Sequence, residues 1–255
     1  WPEHPPAAAI GARFAADAAA GLRAAWLTGA LIGIDCARAG FDVVCAPVLD
    51  LGLPGAHSVI GDRAFGPDPR AVARLGRAMA DGLLAAGVQP VGKHAPGHGR
   101  ALADSHAELP VVDTPDLAAD FLPFAANADL PWLMTAHIVY ASLDPGHPAT
   151  LSSTVIARML RGRFRFDGVL VSDDLSMRAL AGPPAASARA AIAAGCDLAL
   201  YGAGDFVATE ALLAACPALR PSTSARLAAA ASLARSRAQA LDGDRLGAER
   251  DRLLT

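Results

Sequence analysis

A chain of 255 residues with 53% hydrophobic and 18% charged side chains can bury a large core, which excludes a disordered or fibrous protein. Its net charge of −3 offers no footprint for nucleic acid, and no basic run suggests a membrane surface. The longest apolar run, AAWLTGALIGI from Ala24, lies between Arg23 and Asp35 and is too short to cross a bilayer, so it reads as a buried helix.

The chain opens WPEHPP, with neither an initiating Met nor a leader segment, as if inside a loop; a processed or partial chain is expected. Cys36, Cys45, Cys196 and Cys216 have no C-x-x-C spacing and read as small buried residues of a reducing compartment. Alanine-rich helices close on Gly40, Gly87 and Gly195, and β-branched apolar runs follow each glycine. With DLPWLMTAHIVY and FDGVLVSDDLSM, five strand–helix units are expected, their strands near 41–48, 88–93, 131–138, 168–172 and 196–201. DPRAVARLGRAMADGLLAAG and TPDLAADFLPFAAN supply intervening helices. The tail from Ser222 reads as one long helix followed by a fraying charged end.

Alternating units of this kind imply an α/β fold with a parallel sheet, either an open doubly wound sheet or a TIM-type (β/α)8 barrel. No glycine-rich phosphate fingerprint follows a strand. Polar residues follow instead: Asp50, then Lys93 and His94, then His137, then Asp173 and Asp174. Reactive groups at several strand ends favour the barrel. Five units cannot close it, so the expectation is a single domain over 1–255 with about three N-terminal units missing.

The stretch KHAPGHGRALADSH (93–106) concentrates ionisable groups where Pro96 and two glycines forbid a helix. His94 and His98 are four apart but cannot share a helical face, so the zincin geometry is absent; loop ligation completed by His106, His137 and Asp173 remains an alternative. Asp104, two residues before His106, reads either as a carboxylate orienting a general acid or as a turn residue beside an exposed histidine. One of Ser172, Asp173 and Asp174 is expected to cap the next helix, leaving a surplus aspartate as nucleophile or electrostatic stabiliser. Lys93 needs an acceptor such as a sugar hydroxyl or amide oxygen. Arg63 in VIGDRAFG belongs to the same group, unless it pairs with Asp62 at the surface.

The strings APVLD (46–50), VIGDRAFG (59–66), GKHAPGHG (92–99), ADSH (103–106), MTAHIVYASLDP (134–145) and FDGVLVSDDLSM (166–177) together resemble glycoside hydrolase family 3, in its short bacterial β-N-acetylglucosaminidases. Ala95 departs from the family's usual Phe. The resemblance implies a retaining exo-β-N-acetylglucosaminidase, with Asp173 as nucleophile, His106 as acid/base and Asp104 as its orienting partner. It also implies that Arg63, Lys93, His94 and His137 bind the sugar, with no cofactor and no metal. The implied partner is a small carbohydrate, N-acetylglucosamine linked to a peptidoglycan-derived muropeptide, and a cytoplasmic monomer of cell-wall recycling is expected. Family members carry about three further β/α units upstream, the last ending in an acidic, glycine-rich string that contacts the sugar; nothing here matches it. A metal-dependent barrel hydrolase and an inactive fragment of the glycosidase stand as the alternatives.

Overall fold

The computed structural model describes residues 1–255. Helices α1 (Ala7–Ala16) and α2 (Ala18–Arg38) precede strand β1 (Val43–Val44), and α3 (Pro69–Ala85) leads into β2 (Gln89–Ala95). A short strand β3 (Val111–Val112) and α4 (Ala118–Ala126) follow, then β4 (Trp132–Thr135) and β5 (Val139–Tyr140). A wide π-type helix (Val155–Arg163), β6 (Val169–Asp174), α5 (Pro184–Ala194), β7 (Leu198–Leu200), α6 (Phe206–Ala215), α7 (Pro221–Arg237) and α8 (Gly243–Leu254) complete the chain.

The main sheet has the order β1-β2-β4-β6-β7, with every neighbouring pair parallel. Strand order never reverses, so the sheet has no switch point of the doubly wound kind and is a five-stranded arc of a TIM-like barrel. The five strands fall where the apolar runs place them. One boundary needs correction: the 131–138 run is not a single strand. It ends at Thr135, and Val139–Tyr140 pairs with Val111–Val112 in a separate two-stranded sheet.

Helix ends explain the register. Gly40, Gly87 and Gly195 have φ of 85°, 80° and 124°, a conformation that satisfies the last helical carbonyls and turns the chain into the next strand. At the start of α3, Asp68 accepts the Arg70 N–H at 2.9 Å and Pro69 opens the first turn.

Alternation within the strands divides the core. Leu133 and Leu170 face the surrounding helices in a cluster of 22 buried residues that includes Phe121, Phe124 and Ile156. Val91, Trp132, Met134, Val169 and Val171 face the other way, and Ala230 of α7 packs onto them.

The tail forms the expected long helix, α7, but not the expected loose end. α7 crosses the amino ends of the strands. Its Thr223 and Arg226 bond to Asp197 ahead of β7, and Arg226 also reaches Asp167 ahead of β6. Past its end, Gln239 N–H bonds Ala85 O at 2.8 Å. The charged segment beyond does not fray: it forms α8, capped by Asp242, and Glu249 takes two hydrogen bonds from Arg23 of α2 at 2.7 and 2.9 Å. The charges that suggested a loose end line one side of an amphipathic helix whose Leu246 is buried against Leu27 and Ala30.

Candidate active site

Chemistry collects at the carboxyl ends of the strands. Asp50, just beyond the β1 segment, is fully buried and acts as a hub. It accepts the His94 N–H at 3.1 Å, His94 Nδ1–H at 2.6 Å and the His98 N–H at 2.7 Å. Burial alone would push this carboxyl up. The charge and hydrogen bond of His94, helped by His98, outweigh burial and hold it below the usual aspartate range. With Nδ1 committed to Asp50, His94 directs Nε2 toward the rim, 4.0 Å from Asp173 Oδ2.

Asp173 and Asp174 end β6 and divide their work. Asp174 accepts the Ser176 N–H at 2.9 Å and the Gly202 N–H at 3.1 Å, tying the β6 tip to the chain after β7. Asp173 takes only the adjacent Asp174 N–H, on Oδ1 at 2.9 Å, and its side chain keeps 14% exposure. No helix starts at the β6 tip, since α5 begins only at Pro184, so the expected helix cap is absent; Asp174 is tied to turn and loop amides instead, and Asp173 has an oxygen to spare.

Lys93 lies beside them on β2. Burial is the main reason its ammonium is held below its usual range; the Arg63 charge adds to this, while Cys45, Asp173 and Asp50 oppose it. Arg63, in a 3-10 turn (Gly61–Arg63), donates Nη1–H to Val59 O at 3.1 Å and forms no ion pair with Asp62, so the surface-pair alternative does not hold. His137 is placed differently from a sugar ligand. It is fully buried, with Nε2–H donated to Asp174 O at 3.1 Å and Nδ1 accepting from Thr150 Oγ1 at 2.7 Å. Burial pulls its pKa down, in keeping with a neutral ring that supports the β6 tip from below.

Asp104 and His106 form a pair on the loop after β2. Asp104 Oδ1 accepts both the His106 N–H and Nδ1–H at 2.8 Å, which fixes the tautomer and leaves Nε2 free on a ring 62% exposed. These bonds hold the Asp104 carboxyl below its usual range, so it stays ionised as the imidazole's partner. The loop is docked on the segment after Asp173: Arg178 N–H bonds His106 O and Ala179 N–H bonds Ser105 O, each at 3.3 Å. At its root Gly99 lies flat on the chain; a Cβ there would stand 2.4 Å from Leu51 O.

The spacing of residues in sequence did not identify Asp50 as the hub, nor His98, Ser105, Arg100 or Asp120 as supports. Arg100 bonds buried Asp120 at 2.7 Å across 20 residues. No group of three or more His, Cys, Asp or Glu side chains is arranged to hold a metal ion. No helix is long and apolar enough to cross a membrane.

A parallel barrel arc with an acid, a histidine and cations on its carboxyl rim places the chain among the TIM-type proteins, whose reactive groups gather at that face. The chain belongs to glycosyl hydrolase family 3: residues 3–234 match the model of that family's N-terminal domain. It is 43% identical over 192 residues to a beta-hexosaminidase of Bordetella avium, covering 72% of this chain and 54% of that protein. A beta-hexosaminidase of Alkalilimnicola ehrlichii is 46% identical over 179 residues, 68% of this chain and 51% of the other. The chain thus spans about half the length of these curated relatives. Among solved structures, NagZ from Neisseria gonorrhoeae in complex with N-trifluoroacetyl-D-glucosamine superposes with a TM-score of 0.84 at 31% identity, over 98% of this chain and 76% of that one.

Proposed function

We propose that the chain is the catalytic part of a retaining exo-β-N-acetylglucosaminidase that removes terminal β-linked N-acetylglucosamine from peptidoglycan-derived muropeptides in the cytoplasm. Asp173 is the nucleophile. Its carboxylate attacks the anomeric carbon, and a covalent glycosyl-enzyme forms as the glycosidic bond breaks. His106 gives the departing oxygen its proton through Nε2 and then takes one from the water that releases the sugar. Asp104 stabilises the imidazolium. Lys93, His94 and Arg63 hold the sugar, and His137 acts from beneath by setting the height of the β6 tip.

The observation that carries this reading is the division between the two aspartates. Asp174 is consumed by backbone amides, whereas Asp173 is anchored through one oxygen and presents the other beside His94. A slow fluorinated N-acetylglucosaminide provides the test. Mass spectrometry of digested protein is expected to find the sugar ester on the peptide containing Asp173, and Asp173→Asn is expected to remove the label. A label elsewhere, or none while turnover persists, overturns the assignment.

A further inference from the structure

We propose that His98 is a positioning residue: Nε2–H, donated to Ser105 Oγ, latches the 102–109 arm, and with it Asp104 and His106, onto the base organised by Asp50. The proposal rests on the reading of Asp104 and His106 as the proton-handling pair.

The arm has little else to hold it. Ser105, at 2% exposure, is the one buried residue between positions 102 and 109; Leu102 is 75% exposed and Leu109 39%. Its remaining ties to the β6 side are the two main-chain bonds of 3.3 Å to Arg178 and Ala179. Ser105 stands between the two members of the pair, so its place sets theirs. His98, by contrast, is rigidly mounted. Its N–H bonds Asp50 at 2.7 Å and its ring meets that of His94 edge-on, with centroids 5.6 Å apart. The Nε2–Ser105 Oγ distance is 3.2 Å.

The direction of the bond follows from what lies on the other nitrogen. His98 Nδ1 is buried without a partner. An orphaned acceptor is tolerated more readily than an orphaned N–H, so the proton sits on Nε2 and is given to the serine. Burial also lowers the pKa of this histidine, as expected for a ring kept neutral. The same Asp50 carboxylate thereby orients His94 toward Asp173 and His98 toward the arm. Position of the sugar-holding base and position of the proton donor are set by one buried group.

The test uses the 255-residue chain and hydrogen exchange read by mass spectrometry. Ser105→Ala is expected to speed exchange of the 104–109 amides about tenfold, as loss of one hydrogen bond implies, and Ser105→Thr to restore them. His98→Ala is expected to have the same effect, and the double variant to be no worse than either single one. In turnover, Ser105→Ala should lower kcat/KM on an unactivated disaccharide about tenfold, yet barely affect kcat/KM on an aryl glycoside, because kcat/KM reports only the first, bond-breaking step and that leaving group needs little protonation. Unchanged exchange in Ser105→Ala, additive effects in the double variant, or equal losses on both substrates each overturn the latch. Should the exchange pattern appear while the unmodified chain labels no residue and turns over neither sugar, the latch stands and the glycosidase reading falls.

Discussion

Asp50 and Asp197 are both buried carboxylates, one at the carboxyl rim of the sheet and the other at the amino rim, and their partners differ in kind. Asp197 receives Arg161 at 2.7 Å, Arg226 at 3.1 Å, Thr223 at 2.7 Å and the Leu170 N–H at 3.0 Å. Guanidinium groups keep their charge at every accessible pH and cannot give up a proton. Asp50 is held instead by the His94 imidazole and the main-chain amides of His94 and His98. A histidine can shed its charge and turn its second nitrogen to other work. The amino rim is built to hold α7 in place, and the carboxyl rim is built to present groups that exchange protons.

The largest effect that sharpens this contrast is expected at the structural end. Asp197→Ala leaves cations that cannot neutralise themselves, so urea unfolding should show a loss of about 3–5 kcal/mol. The protein that remains folded should turn over with nearly normal kcat. Asp50→Asn comes next. The amide oxygen that replaces one carboxylate oxygen can still accept from these partners, which limits the stability loss to about 1–3 kcal/mol, but displacing His94 and His98 should cost roughly 10²-fold in kcat/KM on a β-N-acetylglucosaminide. Equal stability losses with equal activity would erase the distinction between the rims.

Acid provides a third, smaller probe. Burial pushes both carboxyls up, but their partners win and hold each below the ordinary range. Each therefore contributes stability that is fully present above the unfolded aspartate pKa of about 3.9 and is lost as pH falls through the depressed folded values. Urea midpoints followed down through that range should drop steeply, and less steeply in Asp50→Asn and Asp197→Asn. The smallest effect belongs to His98 and His137, which burial keeps neutral. Their contribution is complete above the unfolded histidine pKa of about 6.5 and declines as pH falls below it. His137→Gln should flatten that mildly acidic slope.

What could be read in advance follows the range of the interactions. Glycine past a helix end and an apolar run after it are local signals, so the five strands and the turns at Gly40, Gly87 and Gly195 were legible. The Asp104–His106 pair was legible for the same reason, since its members stand two positions apart. Asp50 and His94 meet across 44 residues, and spacing could mark Asp50 only as a polar strand end. His98 and Ser105 are seven apart in a loop, where no periodicity predicts contact. The long helix from Ser222 was legible as α7, but the charged end after it was misread, because the contacts that hold α8, Glu249 with Arg23 and Leu246 with Leu27, lie more than two hundred residues apart in sequence. The hold of α7 on the sheet comes from Thr223 and Arg226, whose partner lies more than twenty residues upstream.

Gly99 carries a consequence for redesign. The arm's root lies against Leu51 so closely that even a methyl group would strike main-chain atoms, and Leu51 directly follows Asp50. A transplanted loop therefore has to splice in after this glycine, because bulk at the joint would be transmitted straight into the histidine mount. Libraries aimed at new aglycones should leave the strand tips and that joint untouched and draw their diversity from the outer part of the arm.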